Sequence, residues 1–169
     1  MRIAFFSEAF DPFQNGVVAL VKAYRDALIE AGHEVVIFTP ENDHRPTSEK
    51  NVVRMPSVKL TRELYPVAIP FAKALRRFDD LDFDIIHSHH PFSCGLMAEK
   101  LSHKFEIPLV YTFHTLLTQQ SHYVPGPKNL AEKTLLRVVR RHCSRAHCVT
   151  VSGRTMQNWL RSRAVKSPV

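Results

Sequence analysis

The sequence predicts a doubly wound α/β domain built on a mostly parallel, Rossmann-like sheet. Three observations carry that expectation. Short apolar runs of strand length alternate along the chain with longer stretches of helical periodicity. Runs such as "IAFF" (residues 3–6) and "VVIF" (35–38) are apolar at every position, as strands buried on both faces are. The stretches between runs have the length of right-handed crossovers.

The elements follow in order. "RIAFFS" (2–7) is a first strand and "EAFDPFQNG" (8–16) a loop. In "VVALVKAYRDALIEA" (17–31), Val18, Leu20, Val21, Tyr24, Leu28 and Ala31 fall largely along one helical face. Gly32 supplies the stop, and "EVVIFT" (34–39) is a second buried strand. "NVVRM" (51–55) reads as a third strand, and Pro70 opens a helix carrying Phe71, Ala74, Leu75 and Phe78. "FDIIHSH" (83–89) is a fourth strand, after which Ser93 is placed to cap a helix over 94–105. "PLVYTFH" (108–114) is a fifth strand, 127–146 a long helix and "HCVTVS" (147–152) a sixth strand, with another helix starting after Ser152.

At 169 residues and 44% hydrophobic content the chain suffices for one domain with a proper core. No run approaches the roughly 18 apolar residues of a membrane span. The opening is too short and too acidic for a secretion signal, which points to a cytoplasmic protein. Three cysteines, Cys94, Cys143 and Cys148, are odd in number and are expected to be reduced and mostly buried.

Charge is unevenly spread within a formal net of +7. Residues 128–169 hold ten Lys or Arg against the single acid Glu132, leaving 13 basic and 15 acidic residues elsewhere. A nearly neutral body with a basic C-terminal quarter points either to an anionic partner or simply to a solvated helix face.

In an open parallel sheet, ligands bind beyond the C-terminal ends of the strands. Residues 10–16, His87 to Pro91, Phe113 to Thr115, and Ser152 with Gly153 are therefore expected to share one crevice. "DPFQNGVV" puts Gly16 at a helix start, where bare backbone N–H groups and the helix dipole favour an anion; a tight turn alone would explain the glycine equally well. It is neither a G-x-G-x-x-G fingerprint nor a Walker loop.

Two histidine-rich stretches raise the question of metal. In an extended strand His87 and His89 share a face while His90 points elsewhere, so the three do not build a tetrahedral site. His142, Cys143, His147 and Cys148 straddle a helix end and the next strand. No H-E-x-x-H occurs, so packing and hydrogen bonding are the expected roles and no metal is assigned. His114 differs, as a lone polar residue ending an apolar strand, suited to orienting a substrate or to a structural hydrogen bond. There is no G-x-S-x-G elbow and no cysteine in a protease or redox setting.

Together these stretches resemble the N-terminal domain of the retaining, nucleotide-sugar-dependent GT-B glycosyltransferases of family four. The likeness runs through "RIAFFSEAFDPFQNGV", "LIEAGHEVVIFTP", "FDIIHSHHPFSCGLMA", "IPLVYTFHT" with its T-x-H signature, and "RAHCVTVSGRTMQNWL", in family-like order and spacing. "HSHHPFSCG" followed by "YTFHTLLTQQSHYV" is most similar to the bacterial diacylglycerol glucosyltransferases, which attach a sugar to a lipid at the inner membrane face.

The resemblance implies a set of roles. Asn15, Gly16 and Val17 would face the donor diphosphate and sugar, and His114 would contact the sugar near the bond being broken. His89, His90, Pro91, His122 and Tyr123 would line the acceptor side. Arg137, Arg140, Arg141 and Arg145 would suit docking to an anionic bilayer, peripheral at the inner membrane face. The implied donor is UDP- or GDP-linked, with no further cofactor and no metal. The implied division is an acceptor-side domain over 1–163 and a linker from 164 to 169, with the donor-binding domain absent and the chain alone inactive. Where the family's loop has its first glycine, this chain has Asn15. The competing reading is a non-catalytic module that uses its basic quarter on membranes or nucleic acid; basic residues not interleaved with aromatics beyond Trp159 speak against nucleic acid.

Overall fold

The computed structural model describes residues 1–41, 50–59, 65–69, 78, 82–114, 127–163 and 165. Six strands form one parallel sheet: β1 (Arg2–Phe6), β2 (Glu34–Pro40), β3 (Val52–Met55), β6 (Ile85–Ser88), β7 (Leu109–Phe113) and β8 (Cys148–Val151). Their order is β3-β2-β1-β6-β7-β8, so the direction of winding reverses between β1 and β6. Ile3 lies opposite both Val35 and Ile85, and Phe6 opposite both Phe38 and Ser88. The apolar runs of β1 and β2 are buried along nearly their whole length, as central strands require.

Helix α1 (Gly16–Glu30) covers one face of the sheet, burying Val18 and Val21 beside Ile3, Phe5, Val35 and Ile37. Leu20 and Tyr24, expected on that face, are exposed, although the Tyr24 ring still lies 6.2 Å from those of His87 and His89. Gly32 ends α1 at φ +82°, donating its N–H to the Ile29 carbonyl while His33 donates to Leu28. This paired closure needs the left-handed conformation that glycine adopts without strain.

Helices α2 (Ser93–Phe105), α3 (Lys128–Arg145) and α4 (Arg154–Ser162) contribute to the larger core, with Ala4, Phe6, Phe38, Ile86, Tyr111 and Phe113 at its centre. Phe78 belongs to it, its ring tilted against those of Phe83 and Phe105; the rest of the helix expected from Pro70 lies outside the described residues. A two-stranded antiparallel ribbon, β4 (Ser57–Val58) with β5 (Val67–Ala68), was not expected, its strands being too short to show periodicity. Two expected caps are corrected. Ser93 is inside α2, its hydroxyl donating to Glu8 and accepting from the Ala68 N–H, and Ser152 yields the cap of α4 to Gly153. Among the described residues no helix is long and apolar enough to cross a membrane.

Candidate functional site

The reversal between β1 and β6 opens the crevice that the fold offers a ligand. Four buried polar residues stand at the ends of those strands: Ser7 and Glu8 after β1, His89 and His90 after β6. The Glu8 backbone N–H donates to His90 Nδ1 at 3.3 Å, which leaves the His90 proton on Nε2. The Ser7 hydroxyl, which donates to the Ala9 carbonyl, lies 3.3 Å from the same nitrogen. Glu8 Oε1 accepts from the Cys94 N–H at 2.6 Å and from Ser93 Oγ at 3.2 Å, so the carboxyl sits on the first turn of α2. Its Oε2 is buried without a hydrogen-bond partner, 3.6 Å from His90 Nδ1. Burial outweighs these hydrogen bonds and pushes the Glu8 carboxyl up to about 7.

The first turn of α1 forms a second wall. Asn15 caps it, Oδ1 accepting from the Val18 N–H at 3.0 Å and its carbonyl accepting from Ala19. The N–H groups of Gly16 and Val17 have no partner among the described residues, and nothing lies within 4 Å of where a Gly16 Cβ would stand. Two unpaired donors at an open helix N-terminus suit an anion. Asn15 Nδ2 donates to the Tyr65 hydroxyl at 2.7 Å, and the Tyr65 ring stands edge-on to His90 with centroids 6.1 Å apart. Tyr65 thus joins the helix start to the histidines.

His87 and His89 stack at 4.3 Å between centroids, as same-face strand residues do, with Phe5 edge-on to both. His87 Nε2 meets Thr112 Oγ1 at 2.6 Å, and Thr112 meets Thr150 at 2.6 Å. His89 Nδ1 lies 3.0 Å from Nε2 of His114, the residue that follows β7. Burial holds every one of these rings below the usual histidine range, assisted by neighbouring imidazoles for all but His114: His87 and His90 fall to about 3, His114 to about 4, and His89 well below 6.5. At neutral pH the cluster is therefore uncharged and offers neutral hydrogen bonds.

Beneath it runs a second network. The Ser88 hydroxyl donates to the His90 carbonyl at 2.8 Å and is 3.0 Å from His142 Nε2, whose Nδ1 is 2.6 Å from Glu99 Oε1. Glu99 is also 3.4 Å from Arg141. Gly95 permits this packing, since a Cβ there would overlap the His90 carbonyl oxygen and stand 3.0 Å from His142 Cε1. On the outer side of α3, Lys133, Leu136, Arg137, Arg140, Arg141, Ser144 and Val165 line a groove of about 610 Å³.

The model of "Glycosyltransferase Family 4" matches residues 14–169. The chain belongs to that family. It is 33% identical over 128 residues to the alpha-monoglucosyldiacylglycerol synthase of Acholeplasma laidlawii, covering 73% of this chain and 32% of that protein. The synthase of the same name from Streptococcus pneumoniae (strain ATCC BAA-255 / R6) is 32% identical, with 73% and 29% covered. A D-inositol 3-phosphate glycosyltransferase of Arthrobacter sp. (strain FB24) is 30% identical over 164 residues, with 82% and 38% covered. The chain thus spans about a third of the length of these relatives.

In this family 4 chain the residues singled out in the sequence largely converge. Asn15, His89, His90 and His114 are joined through Tyr65 and the ring contacts, and Pro91 is buried in the turn that follows His90. His122 and Tyr123 lie outside the described residues. Among the described residues nothing lies within 4 Å of where a Gly153 Cβ would stand. Arg137, Arg140 and Arg141 line the groove and Arg145 does not. The other histidine-rich stretch is spread out: His142 faces Ser88 and Glu99, His147 Nδ1 accepts from the Leu109 N–H, Cys143 is buried and Cys148 is exposed. Glu8, Tyr65 and Gly95 were not anticipated as parts of this region.

Proposed function

We propose that the chain is the acceptor-side, N-terminal domain of a retaining glycosyltransferase. It moves a sugar from a UDP- or GDP-linked donor to an acceptor, a membrane lipid such as diacylglycerol. The observation that carries the reading is the convergence, at the sheet's switch point, of an open helix N-terminus with a neutral histidine cluster. The likeness to two alpha-monoglucosyldiacylglycerol synthases supports the lipid acceptor.

In this reading the N–H groups of Gly16 and Val17 meet the donor's anionic or sugar oxygens, and His114 hydrogen-bonds the sugar. The anomeric carbon–oxygen bond to the diphosphate breaks, its electron pair leaving with the diphosphate. The acceptor oxygen bonds the same carbon on the same face, and its proton passes to the departing phosphate oxygen. Charge grows on the leaving group, where oriented N–H donors stabilise it most. His89, His90 and Pro91 shape the acceptor side, together with His122 and Tyr123. In this reading residues 1–163 form the acceptor-side domain, and a donor-binding domain supplies most of the donor contacts. The cationic groove on α3 supports a peripheral position on an anionic inner membrane face; as a binding module without catalysis, the alternative, the protein would need that groove alone.

The test is sugar transfer from UDP-glucose and GDP-mannose to diacylglycerol in vesicles, with this chain alone and joined to a donor-binding domain. Transfer by the joined protein only is the expected result. No transfer to any lipid or glycan acceptor would overturn the enzymatic reading, and an undiminished rate in His114→Ala would overturn the site.

A further inference from the structure

We infer that His89 is a positioning residue whose buried ring donates Nδ1–H to His114 Nε2, holding His114 in the Nδ1–H form so that a fixed hydrogen-bond donor faces the cleft. What that donor meets rests on the sugar-transfer reading; the tautomer itself does not.

Two imidazole nitrogens 3.0 Å apart must supply one N–H and one lone pair between them. The far nitrogen of His89 decides which. His89 is 2% exposed, and its Nε2 is buried without a partner. A proton on that nitrogen would strand a buried donor without an acceptor, whereas a bare lone pair there is the milder defect. The proton therefore belongs on Nδ1, directed at His114. The ring is fixed in this attitude by the Phe5 edge at 4.7 Å, the His87 stack at 4.3 Å and Tyr24 at 6.2 Å. Turning it over would set a carbon against His114 and lose the bond. Burial and the surrounding imidazoles keep His89 neutral, so donation from both nitrogens at once is closed to it.

The consequence falls on His114. With Nε2 occupied as an acceptor, its proton resides on Nδ1, which has no partner among the described residues on a side chain only half-buried. His114 thus enters any reaction as a donor of a hydrogen bond and not as a base. His90, held in the Nε2–H form by the Glu8 N–H, is fixed by an equally local device of opposite sense.

The tautomer is read by nitrogen-15 NMR of ring-labelled histidines in this chain at neutral pH, the His114 signals being identified by their loss in His114→Gln. The expected spectrum has a protonated-type nitrogen at Nδ1 and a bare-type nitrogen at Nε2. His89→Asn, whose amide N–H occupies the place of Nδ1, keeps that pattern, and His89→Leu shifts it towards the Nε2–H form. In the joined enzyme His89→Leu lowers kcat by roughly tenfold with little change in KM, and His89→Asn restores most of it. A proton on Nε2 of His114 in the wild-type chain overturns the inference, as does an unshifted pattern in His89→Leu. If the spectra are as expected and the joined enzyme transfers nothing, it is the functional reading that fails, and the positioning role stands.

Discussion

Glu8 Oε1, just past the end of β1, accepts a 2.6 Å hydrogen bond from the Cys94 N–H in the first turn of α2. The carboxyl therefore ties together the two sides of the sheet's switch point, with the helix dipole in its favour. Desolvation is nevertheless the larger effect, and Glu8 titrates near 7 instead of 4.5. A group with a raised folded pKa contributes its full share below the unfolded value and loses it as pH rises through the folded one. Glu8→Gln is expected to be near-neutral at pH 4.5. At pH 8 it should be more stable than wild type by up to roughly 3 kcal/mol. Urea unfolding at both pH values checks this.

The histidines act in the opposite sense. His87, His90 and His114 have folded values near 3, 3 and 4, so each must stay neutral while the unfolded chain takes up protons below 6.5. Their contribution is complete above 6.5 and falls as pH drops through 4 towards 3. Replacing His114 by Gln should flatten that acid limb, measured as unfolding free energy between pH 7 and 5, and an unchanged slope would contradict the assigned burial.

Gly95→Ala sets two magnitudes against each other. Helix propensity favours alanine by about 1 kcal/mol. The added Cβ overlaps the His90 carbonyl and crowds the His142 ring, where overpacking costs about 1–3 kcal/mol. Backbone cannot step aside as a flexible side chain does, so the cost lies at the upper end and a net loss of up to about 2 kcal/mol is expected in urea unfolding. Gly16→Ala, in open space, should be tolerated.

Asn15 has two separable duties. Asn15→Ala should lose about 1 kcal/mol of stability with the cap. Asn15→Asp keeps the cap oxygen, loses the donor to Tyr65 and adds negative charge beside the open N–H groups. It should leave the melting temperature unchanged while weakening nucleotide-sugar binding by the joined enzyme, as read by calorimetry.

The groove on α3 predicts binding to anionic vesicles. Arg137 and Arg140 are exposed, and each cation near such a surface contributes about 1 kcal/mol, so Arg137→Gln with Arg140→Gln should weaken sedimentation with phosphatidylglycerol vesicles roughly thirtyfold. Added salt should do the same to wild type. Equal binding by the variant would remove the groove from membrane docking.

The sequence was most readable where one physical requirement dominates. Strands buried on both faces must be apolar throughout, so β1, β2 and β7 stand out, and the rule for parallel sheets then places His89, His90 and His114 in one crevice before any contact is seen. Glu8 was not readable, because an acid in a loop normally faces water, and only the approach of α2 buries it. Tyr65 stands two residues before a strand only two residues long, too little for a periodic signal. Ser93 looked like a cap because serine before a helix generally is one; here Glu8 and Ala68 claim its hydroxyl. The departure at Asn15 became intelligible once it proved to be a helix cap, a role asparagine fills well.

The Ser88 hydroxyl has one hydrogen, and it goes to the His90 carbonyl. His142 Nε2 lies 3.0 Å from that hydroxyl, and its Nδ1 lies 2.6 Å from a Glu99 oxygen. A single imidazole on α3 thus spans the end of β6 and the middle of α2, with no room for a Cβ at Gly95 beside it. The ring is a rivet through three elements far apart in the chain, and the glycine is the hole drilled for it.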